Sequence, residues 1–478
     1  MKSPSRSTAI PDPTPFLFLM AATLTWGLFA ADETTRLVLV GLALLAPGVW
    51  LLCRLATNAA AGVVLLVGAV AISRSFVEIG GLRARPEHIA VGLLCLTLPF
   101  LLRRRSQPLP WILADYLLAV YVGLNVFSSL FMSIAPAKTL AWSMQQVLAI
   151  MPYFFLRILA GDPDGFRRAF RIFLWAGVLE GAIGILCFYS NLLLNTQFGI
   201  EPGQYGAIPG IFGTVLEANI LGAYCGATCV ILLALYLQQP RRLLLVGFGI
   251  TLAGMAISLS RAALGGTLFG FAVLAVYAWR TKLLNRRVLW AVAVAVMWVG
   301  IITLPALIPR YVERFSTLEA SDITADPNTA FRVVQAASAI DGIMKSPVFG
   351  NGTASFQLEF SGEQIGAAFG WISNSELRIL HDTGVVGLGV FLLFLGTLAR
   401  RSWKLLRREA RPALLALLVS TVVYCVTFQL TEGTLMAFTW IHLGLLACAL
   451  CLPPSLSNDP ERNVPEAGTN SAISDPIS

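Results

Sequence analysis

The sequence carries little charge. Only 13% of its 478 residues are Asp, Glu, Lys or Arg, 56% are hydrophobic, and the mean hydropathy is +0.74. Ordinary soluble domains carry about 25% charged residues. The composition therefore excludes a water-soluble enzyme with one large core, and the long uncharged apolar runs are typical of transmembrane helices.

Short catalytic and metal-binding motifs are also missing. There is no Walker-type phosphate loop, HExxH or GxSxG pattern, and the three histidines, His88, His381 and His442, lie far apart in the sequence. We therefore expect no metal, no cofactor and no ATP dependence. The eight cysteines all fall within apolar runs, as small buried hydrophobic side chains do, and form no disulfide or metal-ligand framework.

The net charge of +8 comes from short basic clusters between the apolar runs. Such clusters determine membrane topology, and because no basic helix with interleaved aromatics is present, we expect no nucleic-acid partner. With the N-terminus inside, roughly 23 of the 34 Lys and Arg fall on the cytoplasmic side, in agreement with the positive-inside rule. Both termini are predicted to be cytoplasmic.

The apolar runs predict an all-α, polytopic transmembrane helix bundle of about 14 spans with one large helical periplasmic loop. Spans 1 to 11 occupy residues 1–308, the loop 309–384 and spans 12 to 14 residues 385–452, and a disordered cytoplasmic tail covers 453–478. The individual spans are predicted near 16–30, 37–53, 59–73, 89–102, 110–133, 139–160, 172–190, 216–237, 243–260, 262–279, 288–308, 385–399, 413–430 and 433–451.

The interval 309–384 is a long polar stretch with helix signals, so we predict that it is folded and carries the chemistry. Asp326-Pro327 predicts a helix start, and Lys345-Ser346-Pro347 its end. The apolar stripe of this helix is predicted at Phe331, Val334, Ala337, Ile340 and Met344, with Arg332 and Gln335 facing a polar cavity. A second short helix is predicted from Ser373 to Gly384, where Ser373 and Glu376 fit a capping box as well as a catalytic role.

Arg261 lies between two apolar runs with no room for a loop. An arginine at the membrane boundary is costly and is a functional candidate, although its side chain could simply extend to the headgroups. Guanidinium groups bind phosphate through bidentate bonds, so an external arginine set predicts a lipid-linked phosphate or pyrophosphate as ligand. The arginines predicted on this side are Arg74, Arg83, Arg85, Arg261, Arg310, Arg314 and Arg332.

Motifs over residues 200–400 resemble those of the O-antigen ligase and O-antigen/exopolysaccharide polymerase superfamily. They are Gly213-Thr214-x-x-Glu217-x-Asn219, Ser260-Arg261 between two spans, Ala330-Phe331-Arg332, the turn Ser346 to Gly352, and the closing Ser373-Asn374-x-x-Leu377-x-x-Leu380-x-Asp382-x-Gly384.

The resemblance implies a glycosyltransferase of the bacterial inner membrane, working at the periplasmic face on a polyprenyl-pyrophosphate-linked glycan, without nucleotide sugar or metal. Arg261 and Arg332 would hold the pyrophosphate and stabilise its departure, with Arg314, Arg83 and Arg85 as further pyrophosphate ligands. Asn374 and Glu376 complete the candidate catalytic set. Ser373, Ser260, Glu217 and Asn219 are further candidate site residues.

One position departs from the ligase motif, which has histidine where this chain has Ser373. A serine is a poor general base, which leaves Glu376, or no protein base at all. We therefore favour a polymerase that joins repeat units of an O-antigen or exopolysaccharide, with a chain-length regulator as a candidate partner. A ligase that transfers the glycan to lipid A-core or protein is the alternative. A lipid-linked sugar flippase fits less well, because the charge concentrates at one face and no repeated halves are visible.

Overall fold

The computed structural model describes residues 51–70, 73, 77–79, 82–103, 109–201, 210–283, 286–316, 327–359 and 372–453. The predicted span near 16–30, most of that near 37–53 and nearly all of the tail 453–478 lie outside these residues.

The described chain is a bundle of helices with two short antiparallel ribbons. The ribbons are β1 (Val77–Ile79) with β2 (Leu82–Ala84), and β3 (Ile200–Glu201) with β4 (Gly210–Ile211). The helices are α1 (Leu51–Thr57), α2 (Ala59–Val70), α3 (Pro86–Arg103), α4 (Leu113–Phe131), α5 (Pro136–Leu159), α6 (Pro163–Leu194), α7 (Ala218–Gln238), α8 (Arg242–Ile257), α9 (Arg261–Arg280), α10 (Arg286–Ser316), α11 (Pro327–Lys345), α12 (Phe356–Glu359), α13 (Ser375–Leu406), α14 (Pro412–Thr427) and α15 (Ala437–Cys451).

Length and composition make six of the described helices candidate membrane spans, or seven if α1 and α2, bent by 118°, form one. Three shorter apolar helices, α8, α14 and α15, are also present. Together they confirm the predicted all-α membrane bundle. The predicted spans from 59–73 onward each coincide with a described helix, whereas the count of about 14 stays a prediction.

Prolines and small residues explain how these helices begin and pack. Pro136, Pro163 and Pro412 stand in the first turn of their helices, where the missing N–H costs no hydrogen bond. A Cβ on Gly254 of α8 would lie only 2.7 Å from the Cα of Gly181 in α6. Glycine is thus required where these two helices cross, as in many membrane bundles.

The connections between the helices fall at two ends of the bundle. We call the end with connections 132–135, 258–260 and 428–436 the loop end, and the end with connections 160–162, 239–241 and 407–411 the arginine end. At the arginine end, the Arg411 guanidinium donates to the carbonyl of Leu452 at 2.7 Å, and that of Arg157 to the carbonyl of Pro110 at 2.5 Å. The residues that hydrogen bonds join at the loop end make up the candidate active site.

The polar interval 309–384 is helical in large part. Helix α10 continues past Pro309 to Ser316, so its 31 residues extend about 46 Å, more than a hydrocarbon core is thick. Helix α11 begins at Pro327 and ends at Lys345, as predicted.

The predicted apolar stripe of α11 is not the buried face of the helix. Val334, Ile340 and Met344 of the predicted stripe are exposed, whereas Gln335 and Ala339 are buried. Gln335 is buried because its amide bonds to the backbone before α13, and that bond fixes the rotation of the helix. The apolar stripe therefore lies on the exposed surface of the described structure.

Candidate active site

Ser260 and Arg261 form the start of α9 at the loop end. The Ser260 hydroxyl caps the helix by accepting from the Ala263 N–H at 3.2 Å, and it donates to the Asn219 side-chain oxygen at 2.8 Å. This bond joins two candidate residues that are 41 positions apart in the sequence. Arg261 follows as the first residue of α9, half-buried, where its side chain can reach the loop end.

Glu217 connects the start of α7 to the connection 428–436. It occupies the N-cap position of α7, but its side chain makes no capping bond. Instead its carboxylate accepts from the Thr431 hydroxyl at 2.9 Å. The segment 217–219 therefore contacts both the Ser260 turn and the 428–436 connection, and Glu217 and Asn219 belong to one hydrogen-bonded shell.

Asn374 and Glu376 contact the same connection through one residue, Gln429. The Asn374 side-chain nitrogen donates to the Gln429 carbonyl and side-chain oxygen at 3.0 and 3.1 Å. The Gln429 amide nitrogen donates to Glu376 Oε1 at 2.7 Å. The other carboxylate oxygen of Glu376, Oε2, is buried and accepts no hydrogen bond from the described residues.

The predicted capping box at Ser373 is wrong by one residue. Asn374 is the N-cap, and its side-chain oxygen accepts from the Leu377 N–H at 2.7 Å. Asparagine caps as well as serine does, and Glu376 then stands one position too early to complete the box. Glu376 is therefore not used in capping and bonds to Gln429 instead.

Ser373 links the helix that carries Arg332 to the segment that carries Asn374 and Glu376. Its backbone N–H donates to the Gln335 side-chain oxygen at 2.8 Å, and Gln335 lies one helical turn after Arg332 on α11. Arg332 is half-buried. The arginine-bearing helix is thus held against the first residues of α13, beside Asn374 and Glu376.

Arg85, Arg83 and Arg314 were predicted as further pyrophosphate ligands, and the structure describes the side chain of the first of them. Arg85 is at the loop end, where its guanidinium donates to the Leu435 carbonyl at 3.4 Å and lies 3.6 Å from Glu87. It lines a cavity of about 10 Å³ beside Thr353, room for about one water. Arg83 belongs to β2 and Arg314 to α10, and the positions of their side chains lie outside the described structure.

The turn from Ser346 to Gly352 packs against the residues on either side of Gly384. The backbone N–H of Gly352 donates to the Asp382 carbonyl at 3.0 Å, and that of Val385 to the Pro347 carbonyl at 2.9 Å. Gly384 interrupts α13 with φ 66° and ψ −171°, a conformation essentially restricted to glycine. The break separates the first turns of α13 from the long helix after it, at the position where the sequence predicted a helix end.

Sequence reasoning missed Arg378, which is the most connected side chain of the described site. It is 2% exposed, and its guanidinium lies 3.2 Å from Asp382 and 2.9 Å from Glu432. It also donates to the Thr434 hydroxyl at 3.2 Å and to the side-chain oxygen of Gln146 on α5. Arg378 therefore holds α13, α5 and the 428–436 connection together.

A usable signal for Arg378 was its spacing, four residues before Asp382, the i,i+4 spacing of a helical ion pair. Glu432 and Gln429 gave no such signal, because the residues of α13 that they contact, Ser375 and Glu376, are more than 50 positions away in the sequence.

These observations define a class: a polytopic helical membrane protein with arginines, an amide and a carboxylate gathered at one end of its bundle. Residues 246–392 match the model of the O-antigen ligase family. The match extends from α8 into α13, includes Ser260, Arg261, Arg332 and Asn374, and confirms the resemblance to the O-antigen ligase and polymerase superfamily. No curated protein matched the chain. The family implies a lipid-linked glycan as substrate and a bacterial membrane as location.

Proposed function

We propose that this protein is an inner-membrane glycosyltransferase that polymerises polyprenyl-pyrophosphate-linked repeat units of an exopolysaccharide or O-antigen. The proposal includes about 14 spans, cytoplasmic termini and a loop end that faces the periplasm. Its main support is that candidate residues from three separate segments, 217–219, 260 and 374–376, share one hydrogen-bonded shell with the 428–436 connection.

In the proposed reaction, the acceptor sugar hydroxyl attacks the anomeric carbon of the donor glycan. The bond between that carbon and the pyrophosphate oxygen breaks, and the pyrophosphate leaves with the electron pair. Arg261 and Arg332 stabilise the charge that develops on the leaving group, a large term in catalysis of this kind. Arg85, Arg83 and Arg314 add positive charge at the same face.

Glu376 is the group that takes the proton of the acceptor hydroxyl. Gln429 fixes one carboxylate oxygen, and the other, Oε2, accepts no hydrogen bond from the described residues and is the one that would take the proton. Asn374 positions Gln429 by contacting both its backbone and its side chain. Because pyrophosphate is a good leaving group, correct positioning supplies much of the remaining acceleration.

A ligase that transfers the glycan to lipid A-core or protein is the second candidate. The matching family is described as an O-antigen ligase, which favours it. Ser373, in place of the histidine of the ligase motif, favours the polymerase. In either case the donor is a polyprenyl-pyrophosphate-linked glycan, and a chain-length regulator is a possible partner of the polymerase.

The test is turnover by purified protein given a polyprenyl-pyrophosphate-linked repeat unit, without nucleotide, metal or ion gradient. A ladder of products separated by one repeat unit supports the polymerase, whereas transfer only to added lipid A-core supports the ligase. Arg261→Ala should abolish turnover, and Arg280→Ala, at the exposed other end of α9, should retain it. Full activity of Arg261→Ala would contradict the proposed site.

A further inference from the structure

An exposed apolar patch lies on α11 and on the turn that follows it. We call the side chains of Ile340, Met344, Val348 and Phe349 the outer patch. They are between 37% and 74% exposed, although none of them belongs to a candidate membrane span of the described chain. Ile340 and Met344 stand about one helical turn apart and so share a face of α11. Apolar side chains grouped in this way mark surfaces that meet another molecule or a membrane.

Contacts of the turn place the outer patch beside the ends of two spanning helices. The ring centre of Phe349 is 5.4 Å from that of Phe127, which lies near the loop end of α4. The Val348 carbonyl accepts from the Val386 N–H at 3.2 Å, where the long part of α13 starts after the break at Gly384. The turn is therefore attached to both helices at the loop end.

The lengths of these two helices relate the outer patch to the membrane. Helix α4 is about 28 Å long, and α13 extends about 33 Å from Val385 to Leu406. Both lengths match the hydrocarbon core of a bilayer, which is about 30 Å thick, so each helix leaves that core near the residues that contact the turn. The outer patch thus adjoins the edge of the core and continues the apolar surface of the spans, where Phe131 and Val385 are also exposed.

The opposite side of α11 is fixed to the protein, which keeps the outer patch turned outward. Besides the bond between Ser373 and Gln335, the side-chain amide of Asn351 donates to the Gly342 carbonyl at 2.9 Å. Asp341 is exposed and lies beside the apolar stripe. A helix with an exposed apolar stripe and polar neighbours is typical of segments that lie in a membrane interface.

We propose that the outer patch inserts among the phospholipid acyl chains of the leaflet at the loop end, so that the C-terminal part of α11 rests in the membrane interface. A lipid surface fits better than a protein partner. Through the contact between Phe349 and Phe127, the patch continues the apolar surface of a spanning helix, which faces acyl chains. The inference does not depend on the proposed enzymatic function, since none of the four side chains belongs to the candidate active site.

The experiment places the photoreactive residue p-benzoylphenylalanine at Met344 or Phe349 of the full-length protein in vesicles of phosphatidylethanolamine and phosphatidylglycerol. On illumination this residue bonds to a neighbouring C–H group, and mass spectrometry identifies the adduct. Leu393, exposed on the spanning part of α13, is the positive control, and Asp341 is the matched control on the polar side of α11. We expect acyl-chain adducts at Met344 and Phe349 as at Leu393, and at least about threefold fewer at Asp341.

The adducts distinguish acyl chains from other occupants. Bonds to acyl-chain carbons support the proposal, whereas bonds to headgroups alone would place the outer patch above the chains and overturn it. Bonds mainly to a second copy, or to another stretch of the same chain, would overturn it in favour of a protein contact. Equal yields at Asp341 and Met344, or no lipid adduct at Met344 and Phe349 while Leu393 reacts, would also overturn it. The Phe349 arm keeps an aromatic ring and stays valid if the Met344 variant does not fold.

Discussion

Removing the guanidinium of Arg378 should destabilise the protein more than most single changes at its surface. The side chain is 2% exposed and lies between the carboxylates of Asp382 and Glu432. Arg378→Met removes the cation but leaves two buried carboxylates facing each other without compensation. Breaking a buried ion pair in this way costs about 3–5 kcal/mol.

The free energy of unfolding can be compared by titration with a denaturing detergent in mixed micelles. Asp164→Ala is the matched control, because it breaks an ion pair whose acid is exposed, and it should cost about 0–1 kcal/mol. Neutralising both acids in the Arg378→Met background, with Asp382→Asn and Glu432→Gln, should restore part of the loss, since the uncompensated charge causes it. A loss for Arg378→Met no larger than that of Asp164→Ala would refute the reasoning.

Two further predictions concern the break in α13 and the proposed base. Gly384→Ala should destabilise the protein by about 1–3 kcal/mol, because φ 66° is unfavourable for any other residue and the new Cβ would strike the Val348 carbonyl. Gly389→Ala, in the same helix but facing open space, should be neutral or stabilising in the same unfolding assay. Glu376→Gln should lower the turnover number about 10²–10⁴-fold with little effect on unfolding. Glu409→Gln, at the arginine end, should leave turnover unchanged, and an equal loss in both would exclude Glu376 as the base.

Much of the helical architecture could be predicted because hydropathy alone decides which segments avoid water. The predicted spans from 59–73 onward coincide with helices, and Pro327 marks a helix start as predicted. The rotation of α11 could not be predicted from its apolar stripe. In a membrane protein such a stripe can face lipid as well as a core, and here the bond of Gln335 to Ser373 decides the orientation.

The site was predictable only in part, for a similar reason. Ser260, Arg261 and Asn374 stand out as polar residues at the ends of apolar runs. The connection 428–436 does not, although Gln429 and Thr431 contact candidate residues from two separate segments. These contacts link positions between 53 and 214 residues apart, a separation at which no local pattern indicates a partner.

The proposed binding of the lipid carrier's diphosphate by Arg261 and Arg332 at the loop end is tested most directly by a dissociation constant. The constant is that of polyprenyl pyrophosphate for wild type, Arg261→Gln, Arg332→Gln and the control Arg280→Gln. Because a hydrogen bond to a charged group contributes about 1.5–3 kcal/mol, each site variant should bind at least about tenfold more weakly, and Arg280→Gln as wild type does. Unchanged affinity in both site variants would contradict the account.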